Sequence, residues 1–349
     1  MLTDLLAFAI AAVAAATFTP AARHLAFGVG LVDLPGPRKV HAKPMPLLGG
    51  LVVYIATIFA IAVFVADEAW SQMLGIFVAA TLALVIGTLD DRGFLHHQVK
   101  LMVAMPLAAA ILISTGMHSS LFNDVPSLPV VGVPGIWLDY TLSFVWIVGI
   151  TAAFSILDHM DGLCAGTAAV ACLFFFYLSE SEGQLLISTL AATLAGASLG
   201  FLRWNFKPAR IFLGDGGAMF TGLMMATLGI KLTFHEVPRQ ISWLIPVLVL
   251  LVPIFDTTLV SISRLRRGHI PFSTPGKDHA AHRLVSWGLS HRQAVLTMYA
   301  LGLAGGALAV LMRHLTVPQG LAAGALVAAF TLAGIAALER APYERQAKA

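Results

Sequence analysis

Charge is scarce in this sequence: Asp, Glu, Lys and Arg make up only 11% of its 349 residues, while 58% are hydrophobic. With a mean hydropathy of +0.86, that balance excludes an ordinary water-soluble domain, in which about a quarter of the residues are charged. Cysteine is nearly absent. Cys164 and Cys172 both fall in one apolar run, so neither a disulfide framework nor a thiolate metal cluster is expected, and they read as small buried residues. Internal repeats, low-complexity tracts and a soluble domain are missing too. The first apolar segment follows Asp4 without a basic flank and runs into Pro20, which reads as a retained span rather than a removable signal.

What is present is a series of apolar runs at about 3–22, 48–66, 72–89, 101–117, 137–154, 163–179, 185–202, 212–231, 242–263, 293–312 and 317–338. A membrane-crossing helix needs about 20 mostly apolar residues, and backbone amides in hydrocarbon must be bonded within the segment. The expected fold is therefore all-α: a polytopic integral membrane protein of about eleven transmembrane helices, forming one domain over 1–349. The net charge of +3 and pI near 9.0 would suggest nucleic-acid binding if the basic residues were not distributed by loop. One family of connections holds eighteen lysines and arginines, and the other holds Lys231, Arg239 and Arg313. By the positive-inside rule the rich side is cytoplasmic, with the N-terminus outside and the C-terminus inside.

The rich side also carries the chemistry, in loops 23–47, 88–100, 155–162, 203–215 and 264–292. Asp90 and Asp91 end the third run, and two adjacent carboxylates at a membrane boundary call for a cation or another partner. Asp158 and Asp161 share one face if their segment is helical. Asp215 stands among glycines, where the next helix start would offer free amides to an anion. Hard oxygen donors without a Cys and His cluster favour Mg²⁺, with Mn²⁺ the alternative, over Zn²⁺. Arg38, Lys39, Lys43, Arg264, Arg266 and Arg267 on the same side suit a phosphorylated substrate. His279 and His282 could bind phosphate or transfer protons. Asp256 is an ionisable group inside an apolar run, a functional candidate or the partner of a basic neighbour; His96 and His97 are given no role.

In combination these motifs resemble the polyprenyl-phosphate N-acetylhexosamine-1-phosphate transferases, the MraY/WecA-like group of bacterial envelope biosynthesis. Asp33-Leu-Pro-Gly-Pro-Arg-Lys-Val-His41, with Pro44, Pro46 and Gly49-Gly50, resembles that family's first cytoplasmic loop. Leu89-Asp90-Asp91 with Lys100 is similar to its paired-aspartate motif. Asp158-His-Met-Asp161-Gly-Leu, Asn205 to Asp215, and His279 to Leu284 are similar to its later motifs. Ser155, His159, Ala218 and Ala281 depart from the usual pattern without removing a carboxylate.

The resemblance implies transfer of a sugar 1-phosphate from a UDP-sugar to undecaprenyl phosphate, with release of UMP and Mg²⁺ as cofactor, at the cytoplasmic face of the bacterial inner membrane. The histidine segment is closer to the N-acetylglucosamine branch than to the branch using UDP-MurNAc-pentapeptide. On this resemblance Asp90 or Asp91 deprotonates or orients the lipid phosphate, and Asp215 helps hold the metal with Asp91, Asp158 and Asp161. Asp158, Asp161, Asn205 and Phe212 line the nucleotide region, while His279, His282 and Arg283 contact phosphate or sugar. Lys39, His41, Lys43 and Arg264 complete the expected substrate contacts. Direct attack and a covalent aspartyl route are both open, and relatives suggest a homodimer. A transporter is the rival reading. It would place its acids near the bilayer centre, in broken or repeated helices.

Overall fold

The computed structural model describes residues 1–36, 41–64, 70–95, 99–121, 134–271 and 276–341. Contacts divide the chain into two compact units, Met1–Thr233 and Phe234–Ala349. In the first unit the helices are α1 (Leu2–Gly28), α2 (Gly49–Phe64), α3 (Trp70–Asp91), α4 (Met105–Ser114), α5 (Gly135–Leu157), α6 (Leu163–Ser181), α7 (Leu185–Asn205) and α8 (Gly214–Lys231). A π-helical turn, Lys100–Ala104, leads into α4, and a two-residue hairpin pairs β1 (Val32–Asp33) with β2 (Met45–Pro46).

Among the described residues, each apolar run predicted from the sequence contains helix. Among the described residues, seven helices are long and apolar enough to cross a membrane, or up to eight if one bent pair is counted as a span. Helix α2 is apolar but has 16 residues, which at 1.5 Å per residue gives roughly 24 Å against a hydrocarbon core of about 30 Å.

Small residues set the packing of the first unit. Gly196 and Gly200 of α7 face Phe8 and Ala12 of α1, where an added Cβ would overlap the α1 carbonyls. Helix α1 continues through Pro20, whose missing N–H frees the Ala16 carbonyl. The Trp204 indole N–H takes that carbonyl at 2.9 Å. Helix α8 is central, buried almost throughout Gly214–Gly229. Its first turn meets α2 where Gly217 abuts Gly50, and α3 where Gly216 abuts Gly87. The amino ends of α2 and α8 and the carboxyl ends of α3 and α5 therefore gather at one place.

The second unit comprises α9 (Arg239–Ser242), α10 (Leu244–Val249), α11 (Leu251–Arg266), α12 (Ala280–Ser286), α13 (His291–Met312) and α14 (Val317–Leu338). The single span expected over 242–263 is instead broken, with a 78° bend between Arg239–Val249 and Leu251–Arg266. Pro253 cannot donate to the Val249 carbonyl and its ring crowds that carbonyl, so the helix turns at Leu250. Helix α13 starts at a capping box in which Ser290 accepts the Gln293 amide and Gln293 Oε1 accepts the Ser290 amide.

Candidate active site

The acids predicted at separate loops of the first unit meet around the first turn of α8. Asp91, the last residue of α3, accepts the amide of Asp215 at 3.0 Å with Oδ1 and that of Gly216 at 3.3 Å with Oδ2. Asp158, just past α5, accepts the amide of Gly214. The sequence predicts these amides to be free for a substrate anion. That expectation is corrected, because the protein's own carboxylates occupy them, as they would favour the positive end of a helix. Gly214 has φ +76°, and a Cβ there would lie 2.7 Å from Asp91 Oδ2, so only glycine fits.

Lys100 completes the cluster. Its ammonium lies 2.9 Å from Asp90 Oδ2 and 2.8 Å from Asp215 Oδ2, while the Ser155 hydroxyl donates to Asp215 Oδ1 at 3.3 Å. In its motif Lys100 stands close after the paired aspartates. Its reach across 115 residues to Asp215 has no signal in spacing. Burial, together with the nearby Asp215 and Asp161 charges, pushes the Asp158 carboxyl up to about 7 despite the Gly214 amide. The group thus concentrates negative charge in a poorly hydrated place. Its donors are all oxygen, which suits a hard divalent cation.

Around this group the remaining motif residues act as braces. Asp161 accepts the Ala209 amide at 3.0 Å and pairs with Lys207 at 3.3 Å. The buried Asn205 accepts the Gly162 amide and donates to the Ile211 carbonyl, both at 3.0 Å, so its amide ties loop 158–162 to loop 206–213. Phe212 carries the strand-like contacts that bring Pro46 and Gly49 to this loop, and its ring meets the His41 ring edge-on at 5.5 Å. His41 lies 2.8 Å from Asp33 through Nε2 and 2.8 Å from the Lys43 carbonyl through Nδ1. The Lys43 side chain is exposed, and Lys39 lies outside the described residues.

In the second unit, α11 organises the histidine segment. Asp256 accepts the Ala280 amide at 2.7 Å with Oδ1, and its Oδ2 lies 2.8 Å from Nδ1 of His279. Two residues expected to contact substrate, Arg264 and Arg283, have protein partners here. Arg264 is only 5% exposed and grips Asp278 through two bonds of 2.9 and 3.0 Å. Arg283 is fully buried, donating to the Asp278 and Leu338 carbonyls and to Ser263 Oγ, and pairing with Glu339. Both guanidinium groups are committed to protein acceptors and anchor the loop. Burial opposes ionisation of Asp278, but Arg264 and Arg267 outweigh it and hold its carboxyl well below the usual carboxylate range. His282 is drawn from water and sits near His279, which lowers it to about 4.

A family model described as Glycosyl transferase family 4 matches residues 73–233, the stretch that contains Asp90, Asp91, Asp158, Asp161 and Asp215. Over 319 residues the chain is 36% identical to the "Probable undecaprenyl-phosphate N-acetylglucosaminyl 1-phosphate transferase" of Bacillus subtilis, covering 91% of this chain and 87% of that one. This chain belongs to the polyprenyl-phosphate sugar-1-phosphate transferase family. Among other relatives of the family, the decaprenyl-phosphate N-acetylglucosaminephosphotransferase of Mycolicibacterium smegmatis is 35% identical over 308 residues, 79% of this chain and 74% of its own. The phospho-N-acetylmuramoyl-pentapeptide-transferase of Chlamydia trachomatis is 32% identical over 208 residues, 54% of this chain and 61% of its own. Family members transfer a sugar 1-phosphate to a polyprenyl phosphate, and the transporter reading is set aside.

Proposed function

We propose that this transferase moves N-acetylglucosamine 1-phosphate from its UDP-sugar to undecaprenyl phosphate, releasing UMP and starting a cell-envelope glycan. The observation that carries the reading is the meeting of Asp91, Asp158 and Asp215 around the first turn of α8, with Lys100 between Asp90 and Asp215. Relatives named for N-acetylglucosamine transfer over most of this chain support that sugar, whereas the muramoyl-pentapeptide relative matches over about half of it.

Mg²⁺, or Mn²⁺ in its place, fits the all-oxygen donor set, with Asp215 and Asp158 to hold it and Asp91 and Asp161 at the margin. When bound it would neutralise charge on the diphosphate. The chain's own residues do the rest. Asp90, bonded to the Lys100 ammonium, is placed to orient the attacking lipid phosphate and take its proton. Lys100 holds Asp90 and Asp215 at fixed separation and offsets one of their charges. Asp91 and Asp158 keep the Asp215 backbone in place by taking the amides around it. An oxygen of the lipid phosphate forms the new bond to the sugar-bearing phosphorus as the bond to the UMP oxygen breaks. This one-step form does not need the covalent aspartyl route.

The same reading puts about eleven helices across the bacterial inner membrane, with the N-terminus outside, the active-site loops cytoplasmic and a homodimer as the working assembly. Loop asymmetry in Lys and Arg supports the orientation. The purified full chain, given undecaprenyl phosphate, Mg²⁺ and a panel of UDP-sugars, should release UMP with UDP-N-acetylglucosamine. Asp90→Asn and Asp215→Asn should each lower the rate by roughly 100-fold or more. No turnover with any sugar of the panel would defeat the proposal.

A further inference from the structure

We infer that Asp256 is the positioning residue for His279, setting which ring nitrogen carries the proton. This rests on the proposed function together with the expectation, implied by the family resemblance, that His279 contacts substrate. Asp256 is 1% exposed in an apolar helix, an expensive place for a carboxylate. Both of its oxygens address one short stretch of chain: Oδ1 takes the Ala280 amide at 2.7 Å and Oδ2 lies 2.8 Å from His279 Nδ1. Ala280 opens α12, and its amide is among those a helix start leaves without an internal partner.

A carboxylate only accepts hydrogen bonds, so the bond to Oδ2 places a proton on Nδ1. In the neutral ring, Nε2 then has a lone pair and acts as the acceptor. The residues on either side of His279 are fixed from the same helix and from the end of α14. Asp278 is clamped by Arg264 and Arg267, and Arg283 is bonded to Ser263 and to the Leu338 carbonyl. The imidazole is therefore held in both orientation and tautomer before any ligand arrives, which is what a group acting on a phosphate oxygen or a transferred proton requires. Capping alone would be served by any short oxygen acceptor. The contact to the ring is what singles out a carboxylate.

Asp256→Asn separates the two roles. Its side-chain oxygen can still accept the Ala280 amide, but its NH2 faces Nδ1 and forces the opposite tautomer. Turnover should fall roughly 10- to 100-fold, with KM for both substrates within about threefold. In a His279→Gln background the same change should add nothing further, because Asp256 acts through the ring. Nitrogen-15 NMR of ring-labelled wild-type protein, with the His279 signals identified by their loss in His279→Gln, should show the Nδ1–H form in the neutral ring. An Nε2–H form in wild type, an Asp256→Asn rate within about twofold of wild type, or losses that multiply in the double variant would overturn the inference. The NMR measurement decides it even if Asp256→Asn does not fold. Absence of UMP release by wild type would defeat the functional reading instead, leaving the tautomer result standing on its own.

Discussion

The carboxylate of Asp91 accepts the backbone amide of Asp215 at 3.0 Å, so the first turn of α8 is capped by a side chain from α3. The adjacent Asp90 is turned to Lys100. The two aspartates of one motif thus divide their work: Asp91 fixes where Asp215 stands, and Asp90 faces the ammonium. Replacing Asp91 by Ala should cost about 1 kcal/mol of stability, as loss of a helix cap does, and Asp91→Asn should cost less because one oxygen remains. Thermal unfolding in detergent without added metal would measure the difference. An Ala variant as stable as wild type would remove the capping role.

Lys100 bridges Asp90 and Asp215 at 2.9 and 2.8 Å, and its loss leaves both carboxylates without that ammonium. Lys100→Met should lower UMP release by roughly 100-fold. Lys100→Arg should not restore it fully, since a planar guanidinium cannot occupy the point between two carboxylates that a compact ammonium fills. Steady-state rates with both substrates saturating would check this. A Met variant retaining half the wild-type rate would show that the bridge is dispensable.

The helices were legible because runs of apolar residues leave the backbone no partner but itself, and the site was legible where acids interrupt those runs, as at Asp90, Asp91 and Asp158. What the sequence hid were the partners. Asp278 reads as one more loop acid until the chain folds back and gives it to Arg264, fourteen positions earlier. Arg264 and Arg283 read as phosphate ligands because a basic residue in a chemistry-bearing loop has the same appearance whether its acceptor is substrate or protein. The bend at Leu250 had a signal in Pro246 and Pro253, but hydropathy averages over proline and reported an unbroken run. The use of the α8 amides by Asp91 and Asp158 had no local signal, because donor and acceptor come from separate helices.

Arg283 separates stability from substrate contact. Its guanidinium is fully buried, bonded to two carbonyls, the Ser263 hydroxyl and Glu339. Arg283→Met should therefore destabilise the protein by about 3–5 kcal/mol, because it leaves the buried carbonyls without their donor and Glu339 with only the exposed Arg266. Protein that survives purification should keep the wild-type KM for the UDP-sugar. His279→Gln should behave in the opposite way, with little change in unfolding temperature and a large drop in rate. A raised KM with unchanged stability for Arg283→Met would instead support the substrate contact expected from the sequence.

His282 gives the fold an acid-sensitive side. Burial and the neighbouring His279 lower its imidazole to about 4, whereas an unfolded histidine titrates near 6.5. Between those values the unfolded chain binds a proton that the folded chain refuses, so stability from this group is complete above about pH 6.5 and is lost as pH falls toward 4. Asp278 is perturbed in the other direction. Its depressed carboxyl contributes stability that is present above the usual aspartate range near 3.9 and disappears only below it, so its window lies under that of His282. Asp158, pushed up to about 7, takes up a proton on folding over the same range and opposes this trend, so the His282 contribution is read by difference: between pH 6.5 and 4.5 the unfolding temperature of wild type should fall relative to that of His282→Gln, with no change in the loss below pH 4. An unchanged slope in the variant would show that His282 is not the group responsible.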